Sequence, residues 1–398
     1  VTVEVASVDV AVSVLRDPRT IRERCGNILA AVESGRGRHF VVDRARLDAC
    51  ATIVADLTRR RYPALAIPYH SRWRHFEAGG VDRAAELDRA LARRSPFDAA
   101  LARIDLAIVS VLLDAGAGRA WSYAEAGGDR HARSEGLGVA SFRAFMAGTF
   151  SAHRDDPLRA DATALAAIDA AALAHVFQSG EANPLVGVDG RAALLRRLGA
   201  AVDGRPAAMF APLLARGGDV EAASILAVLL ERTSGIWPQG FVFDGVPLGD
   251  VWRHPHAGGT GATAGLVPFN KLSQWLAYSL FEPFERAGMR VVAQDALTAL
   301  PEYRNGGLLL DAGVLRLRDP ADAGRRHAVG SELVVEWRAL TVALVDALAP
   351  RVRERLGRPD LPLACILEGG TWAAGRELAA QARGGDPPLA IDSDATVF

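Results

Sequence analysis

The 398-residue chain is poor in cysteine and methionine, with three of each. Cys25, Cys50 and Cys365 form no CxxC pair, and an odd count makes a poor disulfide framework. These features point to a reducing, cytoplasmic setting. Lysine is very scarce, and arginine carries nearly all the positive charge. Net charge is almost absent, with 46 basic against 47 acidic residues. A protein that grips a nucleic-acid duplex needs a strong basic field, so nucleic acid is not the expected partner. No uninterrupted apolar run reaches the roughly 18 residues needed to span a bilayer, so no membrane partner is expected. The first fifteen residues hold Glu4 and Asp9 and lack a basic segment, so they do not read as a signal peptide. Neither an internal repeat nor a clear linker is visible, and nothing in the sequence sets an oligomeric state.

What is present is apolar and helical. Hydrophobic residues make up 50% of the chain, enough for a large core. Apolar spacing of three and four predicts helices over 19–34, 44–60, 97–118, 137–150, 160–178, 189–202, 205–216, 218–232, 269–287, 293–299, 305–314 and 330–356. Asp43 is placed to cap the second of these. Residues 61–80 and 119–136 read as loop. Residues 233–267 are different, rich in glycine and proline, with a short alternating run, GFVFDG. They read as loops with one or two hairpins, expected to carry most of the strand. The tail from 360 is mixed, with one strand near 363–367. The fold class expected is mainly α: one helical domain over 1–398 with a small β insertion at 233–267.

Chemistry concentrates in 268–318. A helix carrying Lys271, Gln274 and Tyr278 on one face leads to the apolar step LTAL and then to Glu302, Tyr303 and Arg304. Leu272, Trp275, Leu276 and Leu280 form the opposite, core-facing stripe. One carboxylate and one guanidinium at the mouth of an apolar hairpin suit a developing cation next to an anionic substrate group. Breaking an N-glycosidic bond in a sugar phosphate poses that problem. Glu302 is the first catalytic choice, with a helix N-terminus beside it expected to lower its pKa. Its bland alternative is a helix cap. Lys271 and Arg304 are the phosphate choices. Their alternative is a solvated helix face.

Other residues stay open between binding and structure. Trp121 and Trp237 can stack on a planar group or simply pack. His70, Arg72, Arg74 and His75 form a basic loop that either binds phosphate or is solvated. Glu368 and Trp372, in EGGTWAAGRE, belong either to the site or to a glycine-rich turn and cap. His254 and His256 alternate as metal ligands do, but no further ligand stands at standard spacing, so no metal is expected. GGTGATAG over 258–265 lacks the GK[ST] ending of a phosphate loop. No cofactor is expected.

FNKLSQWLAYSLF, DALTALPEYR and DAGVLRL resemble, in order, segments of the queuosine-salvage family, which hydrolyses the base–ribose bond of a modified nucleoside 5′-monophosphate. LAHVFQSGEANPLVGVDGRAALLRRLG (173–199) and GSELVVEWRALTVALVDAL (330–348) extend that resemblance along the chain. It departs where Glu302 replaces an Asp and where Asn305-Gly306-Gly307 replaces Val-Pro-Gln. The 268–318 segment also resembles the helix-hairpin-helix element of DNA glycosylases. The whole chain resembles more closely the uracil-catabolism proteins of the ribosylurea (URC) pathway, through IPYHSRWRHFEAGG (67–80), RSEGLGVASF (133–142), EGGTWAAGRE (368–377) and the terminal SDATVF. The resemblances imply hydrolysis of a ribosyl C–N bond in a phosphorylated substrate such as ribosylurea phosphate. They also imply that an acid in the insertion, Asp244, recognises the leaving group, since urea offers N–H donors. The alternative for Asp244 is an Asp-Gly turn. Two rival functions remain: a metal-dependent ureido hydrolase built on His70, His75, His254 and His256, and a non-catalytic nucleotide-binding pathway protein.

Overall fold

The computed structural model describes residues 8–114, 116–238 and 240–392. The terminal SDATVF lies outside them. Helices start where the sequence offers caps. Asp17 and Ser95 each accept a backbone N–H, and Pro18 and Pro96 open the helices Pro18–Glu33 and Pro96–Leu112. The long helix Glu332–Leu356 is buried along most of its length. It packs against Pro18–Glu33 and Leu47–Arg61. On the other side of the core, Lys271–Arg286 packs against Pro96–Leu112 and Ala222–Thr233. A continuous set of buried apolar side chains runs from Ile21 to Leu389, and a small second set joins Val12 and Leu15 to Leu248, Val251 and Leu266.

The mainly α expectation holds, and most helices lie within a few residues of their predicted places. The departures have physical causes. Residues 160–178 split into Ala162–Ala167 and Ala170–Val176, because Asp161 and Asp169 each cap a new helix. Strand is not concentrated in 233–267. Four of the twelve strands among the described residues lie wholly or mainly there, and the rest pair off in twos wherever loops run side by side. One such pair is the hairpin Ser122–Ala124 with Arg130–Ala132, in a region expected to be loop. Between Lys271–Arg286 and Tyr303–Asp311 the chain makes a strand, Arg290–Val292, and a 3-10 turn, Gln294–Ala296, rather than a tight hairpin. The expected helix at 293–299 shrinks to that turn.

The largest departure is the tail. The strand expected near 363–367 is helix. Leu363–Ile366 runs through a wide π-type turn, Leu367–Thr371, into Trp372–Arg383. Glycine makes this possible. A Cβ on Gly370 would lie 2.6 Å from the Val54 carbonyl oxygen, and one on Gly375 would lie 2.1 Å from that of Arg304. The helix therefore lies directly on the backbone that carries Arg304. π-type turns occur often at functional sites, and this one carries Glu368.

Gly375→Ala forces backbone against backbone. We expect it to destabilise the protein by about 1–3 kcal/mol, read as a lower urea midpoint. An unchanged midpoint would refute the close approach.

Candidate active site

A cavity of about 310 Å³ opens where six segments meet. His70 comes from the loop before the short helix Trp73–Phe76, and His75 from that helix. Asp114 follows the end of Pro96–Leu112. Arg133 and Ser134 open Arg133–Met146. Lys271 and Trp275 come from the first turns of Lys271–Arg286. Leu300, Glu302, Tyr303 and Arg304 form one wall, and Trp372 with Gly385–Pro387 closes another.

Glu302 is both a helix cap and a cavity residue. Its carboxylate accepts the backbone N–H of Arg304 at 2.5 Å and of Asn305 at 2.6 Å. Burial pushes its pKa above the ordinary carboxylate value. The two N–H groups and the Lys271 charge pull it back without reversing the shift. The expected lowering is thus overturned, because desolvation outweighs the helix terminus.

Lys271 is the only lysine in the chain. Among the described residues it has no ion pair within 4 Å, and burial lowers its pKa despite the nearby Glu302 charge. Arg304 is buried, lies 4.7 Å over the Tyr303 ring, and reaches the Gly385 carbonyl at 3.4 Å. Its Nε has no hydrogen-bond partner. Arg133 is exposed and held at a left-handed φ of 55°. No carboxylate pairs with Arg304 or Arg133 among the described residues. Three cationic side chains therefore border one cavity without a direct ion pair among the described residues, although the Glu302 carboxylate shares the cavity with them.

The wall is set by a buried ion pair. Arg338 holds Asp250 by two hydrogen bonds of 2.7 Å. Asp250 also accepts the Lys271 backbone N–H at 2.9 Å, and Arg338 reaches the Pro301 carbonyl at 3.3 Å. Lys271 and Glu302 are thereby tied to the same pair. Asp250 lies within the insertion, between the strands Val246–Gly249 and Val251–Arg253, so the insertion's acid that matters structurally is not Asp244. Asp244 is exposed, has a φ of 45°, and turns the hairpin Phe241–Phe243/Val246–Gly249. The turn reading wins there.

Other choices also move. Gln274 is buried and bonds the Phe269 carbonyl and Thr298, while the Tyr278 hydroxyl donates to the Thr298 carbonyl. Both clamp the extended segment at Thr298 that leads to Glu302 and do not line the cavity. Trp275, placed on the core stripe by spacing, lines it instead. Trp121 is buried, stacked on Phe177 and bonded to its carbonyl. Trp237 packs beside Gly249, away from the cavity. Arg72 is fully buried behind the wall, where it pairs with Asp114 at 3.0 Å and donates to His75 Nδ1 at 2.9 Å. Glu368 is likewise behind the wall, bonded to His70 Nδ1 at 3.0 Å and to Arg61 at 2.9 Å. Sequence reasoning missed Asp114 and Arg133, which carry no local signal.

The four histidines do not gather. His70 and His75 line the cavity, and His254 and His256 do not. His254 instead meets two acids of the Glu332 helix, and ligand atoms of His254, Glu332 and Glu336 lie within 4.8 Å of one another. That donor set suits a divalent cation in type. Its members are largely engaged, since Glu336 accepts the N–H groups of Arg38, His39 and Phe40, and Glu332 meets Arg38. No helix among the described residues is long and apolar enough to cross a membrane.

Two outcomes follow from the buried charges. Asp250→Asn leaves Arg338 buried with no full counter-charge, and it should cost about 3–5 kcal/mol in a denaturation experiment. Burial by itself pushes Glu368 up, but His70 and Arg61 together outweigh it and hold the carboxyl down at about 2. A depressed carboxyl contributes stability that is present above its unfolded value and lost as pH falls toward the folded one. Native protein should therefore lose on the order of 2–3 kcal/mol between about pH 5 and pH 2 through this group. Glu368→Gln should flatten that limb, and an identical acid limb in the variant would contradict the assignment.

Comparison with known proteins matches nearly the whole chain. A family model described as "Protein of unknown function (DUF1688)" matches residues 14–398. "Protein urg3" of Schizosaccharomyces pombe is 38% identical over 393 residues, covering 95% of this chain and 96% of that one. "Uracil catabolism protein 4" of Lachancea kluyveri is 34% identical over 440 residues, covering 98% of this chain and all of its own.

Proposed function

The chain belongs to the DUF1688 family, and from its similarity to the uracil catabolism protein of Lachancea kluyveri we propose that it acts in uracil catabolism by hydrolysing a ribosyl C–N bond. The substrate is a 5′-phosphorylated ribosyl compound, with ribosylurea phosphate as the specific choice. The observation that carries this reading is the cavity's charge arrangement. A buried carboxylate, Glu302, stands beside Lys271, Arg304 and Arg133, none of which has an ion-pair partner among the described residues. Cations that are not tied up in direct ion pairs form a ready seat for a phosphate. The cavity's size is that of a small-molecule site.

Cleaving the bond leaves positive charge at the anomeric carbon. Glu302 is the group that stabilises this charge and takes the proton of the attacking water. A carboxylate whose pKa is raised by burial is a better base than an exposed one. Arg304 and Lys271 hold the phosphate and so fix the anomeric carbon against Glu302. Arginine does this by a fork of donors and lysine by a point charge.

The test is a panel of 5′-phosphoribosides, including ureido compounds, with ribose 5-phosphate followed by mass spectrometry. Glu302→Gln should lower turnover by ~10²-fold or more while altering binding less. Arg304→Ala should depress kcat/KM for the phosphorylated substrate and matter much less for the dephosphorylated one, so the two losses do not add. Equal losses on both substrates would remove the phosphate assignment. Binding without turnover across the whole panel would favour a non-catalytic pathway protein.

A further inference from the structure

Two imidazoles line the cavity, and their partners set them in opposite states. His70 meets the Glu368 carboxylate through Nδ1 at 3.0 Å. Glu368 is ionised and only accepts, so Nδ1 carries the hydrogen and Nε2 is the nitrogen free to exchange a proton. His75 meets Arg72 through Nδ1 at 2.9 Å. Arginine only donates, so here the hydrogen sits on Nε2. Burial and the Arg72 charge push the His75 pKa down to about 3, so this ring stays neutral. Among the described residues neither Nε2 makes a hydrogen bond, and both rings face the same space.

We propose that His70 is the catalytic acid of this site, passing a proton from Nε2 to the departing nitrogen group, with Glu368 as its positioning residue and His75 as a fixed neutral N–H donor. The proposal rests on the N-glycoside reading above. A ureido group leaves very poorly as an anion, so its departure needs a proton donor. The other cavity groups are committed elsewhere: Lys271 is assigned to the phosphate, and Asp114 is paired with Arg72. Arg304 and Arg133 do not release protons, and Glu302 must be ionised to face the positive sugar. Burial raises the Tyr303 phenol. The step balances. The C–N bond breaks with its electron pair going to nitrogen, and that nitrogen group takes the proton from His70. Water then forms the new C–O bond and gives its proton to Glu302, and both residues re-equilibrate with solvent.

The charges around His70 are all in place. Glu368 faces Nδ1, and Arg61 and Tyr62 sit behind Glu368. The Trp372 ring lies 6.1 Å from the imidazole. Glu302 and Lys271 share the cavity, and Arg72 reaches its edge through His75. The Glu368 carboxylate fixes the ring's tautomer and orientation.

The experiment compares two leaving groups on the ribose 5-phosphate frame. Ribosylurea 5-phosphate needs a proton to release urea, whereas p-nitrophenyl riboside 5-phosphate releases an anion that is stable by itself. His70→Ala should slow the ureido substrate by about 10²–10⁴-fold and the p-nitrophenyl substrate by less than about tenfold. Added imidazole should restore part of the ureido rate. The alkaline fall in wild-type kcat/KM should disappear in His70→Ala and persist in His75→Ala. Equal losses on both substrates in a folded His70→Ala, or an alkaline limb that survives in it, would overturn the proposal. If His70→Ala does not fold, Glu368→Gln carries the comparison, and equal slowing of both substrates has the same consequence. A wild-type enzyme that cleaves neither substrate would instead bring down the N-glycoside reading itself.

Discussion

The site hangs on one buried ion pair, Arg338 with Asp250. Four separate pieces of chain meet there: the long helix that carries Arg338, the insertion that carries Asp250, and the backbone at Lys271 and at Pro301. A pair of this kind adds little net stability, because removing both charges from water costs about as much as their attraction returns. Its value is geometric. Both Asp250 oxygens have assigned donors, so the first turn of the Lys271 helix and the step before Glu302 cannot drift apart without leaving a buried charge unpaired. The clamp made by Gln274 and Tyr278 on Thr298 continues the same job in the segment that leads to Glu302.

Burial sets the character of the cavity. It raises Glu302 and lowers Lys271 and His75, all toward their neutral forms. Glu368 stands against that trend, because His70 and Arg61 contact it directly. The cavity thus contains groups whose charged forms burial disfavours, backed by a firmly charged carboxylate one step behind. Pairs of titratable groups pushed apart by their surroundings are what acid and base chemistry at one site requires. The arginines supply charge that does not titrate.

How much of this was legible can be judged residue by residue. Glu302 stood out because an acid before a helix-forming run has two uses, and the structure shows the cap while keeping the carboxylate on the cavity. Lys271, Tyr303 and Arg304 were legible as its neighbours, and His70 and Trp372 as members of conspicuous polar or aromatic segments. Asp244 misled because Asp-Gly is a strong turn signal whatever else is nearby. Gln274 and Tyr278 share a helix face with Lys271, but a face is not a destination. Further along, the same face meets the Thr298 segment, and only its first turn reaches the cavity. Trp275 shows the converse, an apolar residue on the core stripe whose ring ends at the cavity wall.

Apolar periodicity, capping residues and the near absence of net charge are local or additive properties, so the sequence alone determined a mainly helical protein and the helices that carry Lys271, Glu302 and Arg304. Which acid would be buried, which histidine would meet a carboxylate and which an arginine, and which cations would go without partners are not additive. They depend on contacts between residues as far apart as Asp250 and Arg338, or His70 and Glu368. Only the tertiary structure decided them, because the free energy of a buried charge is set by what stands within a few ångströms, and chain spacing does not encode that distance.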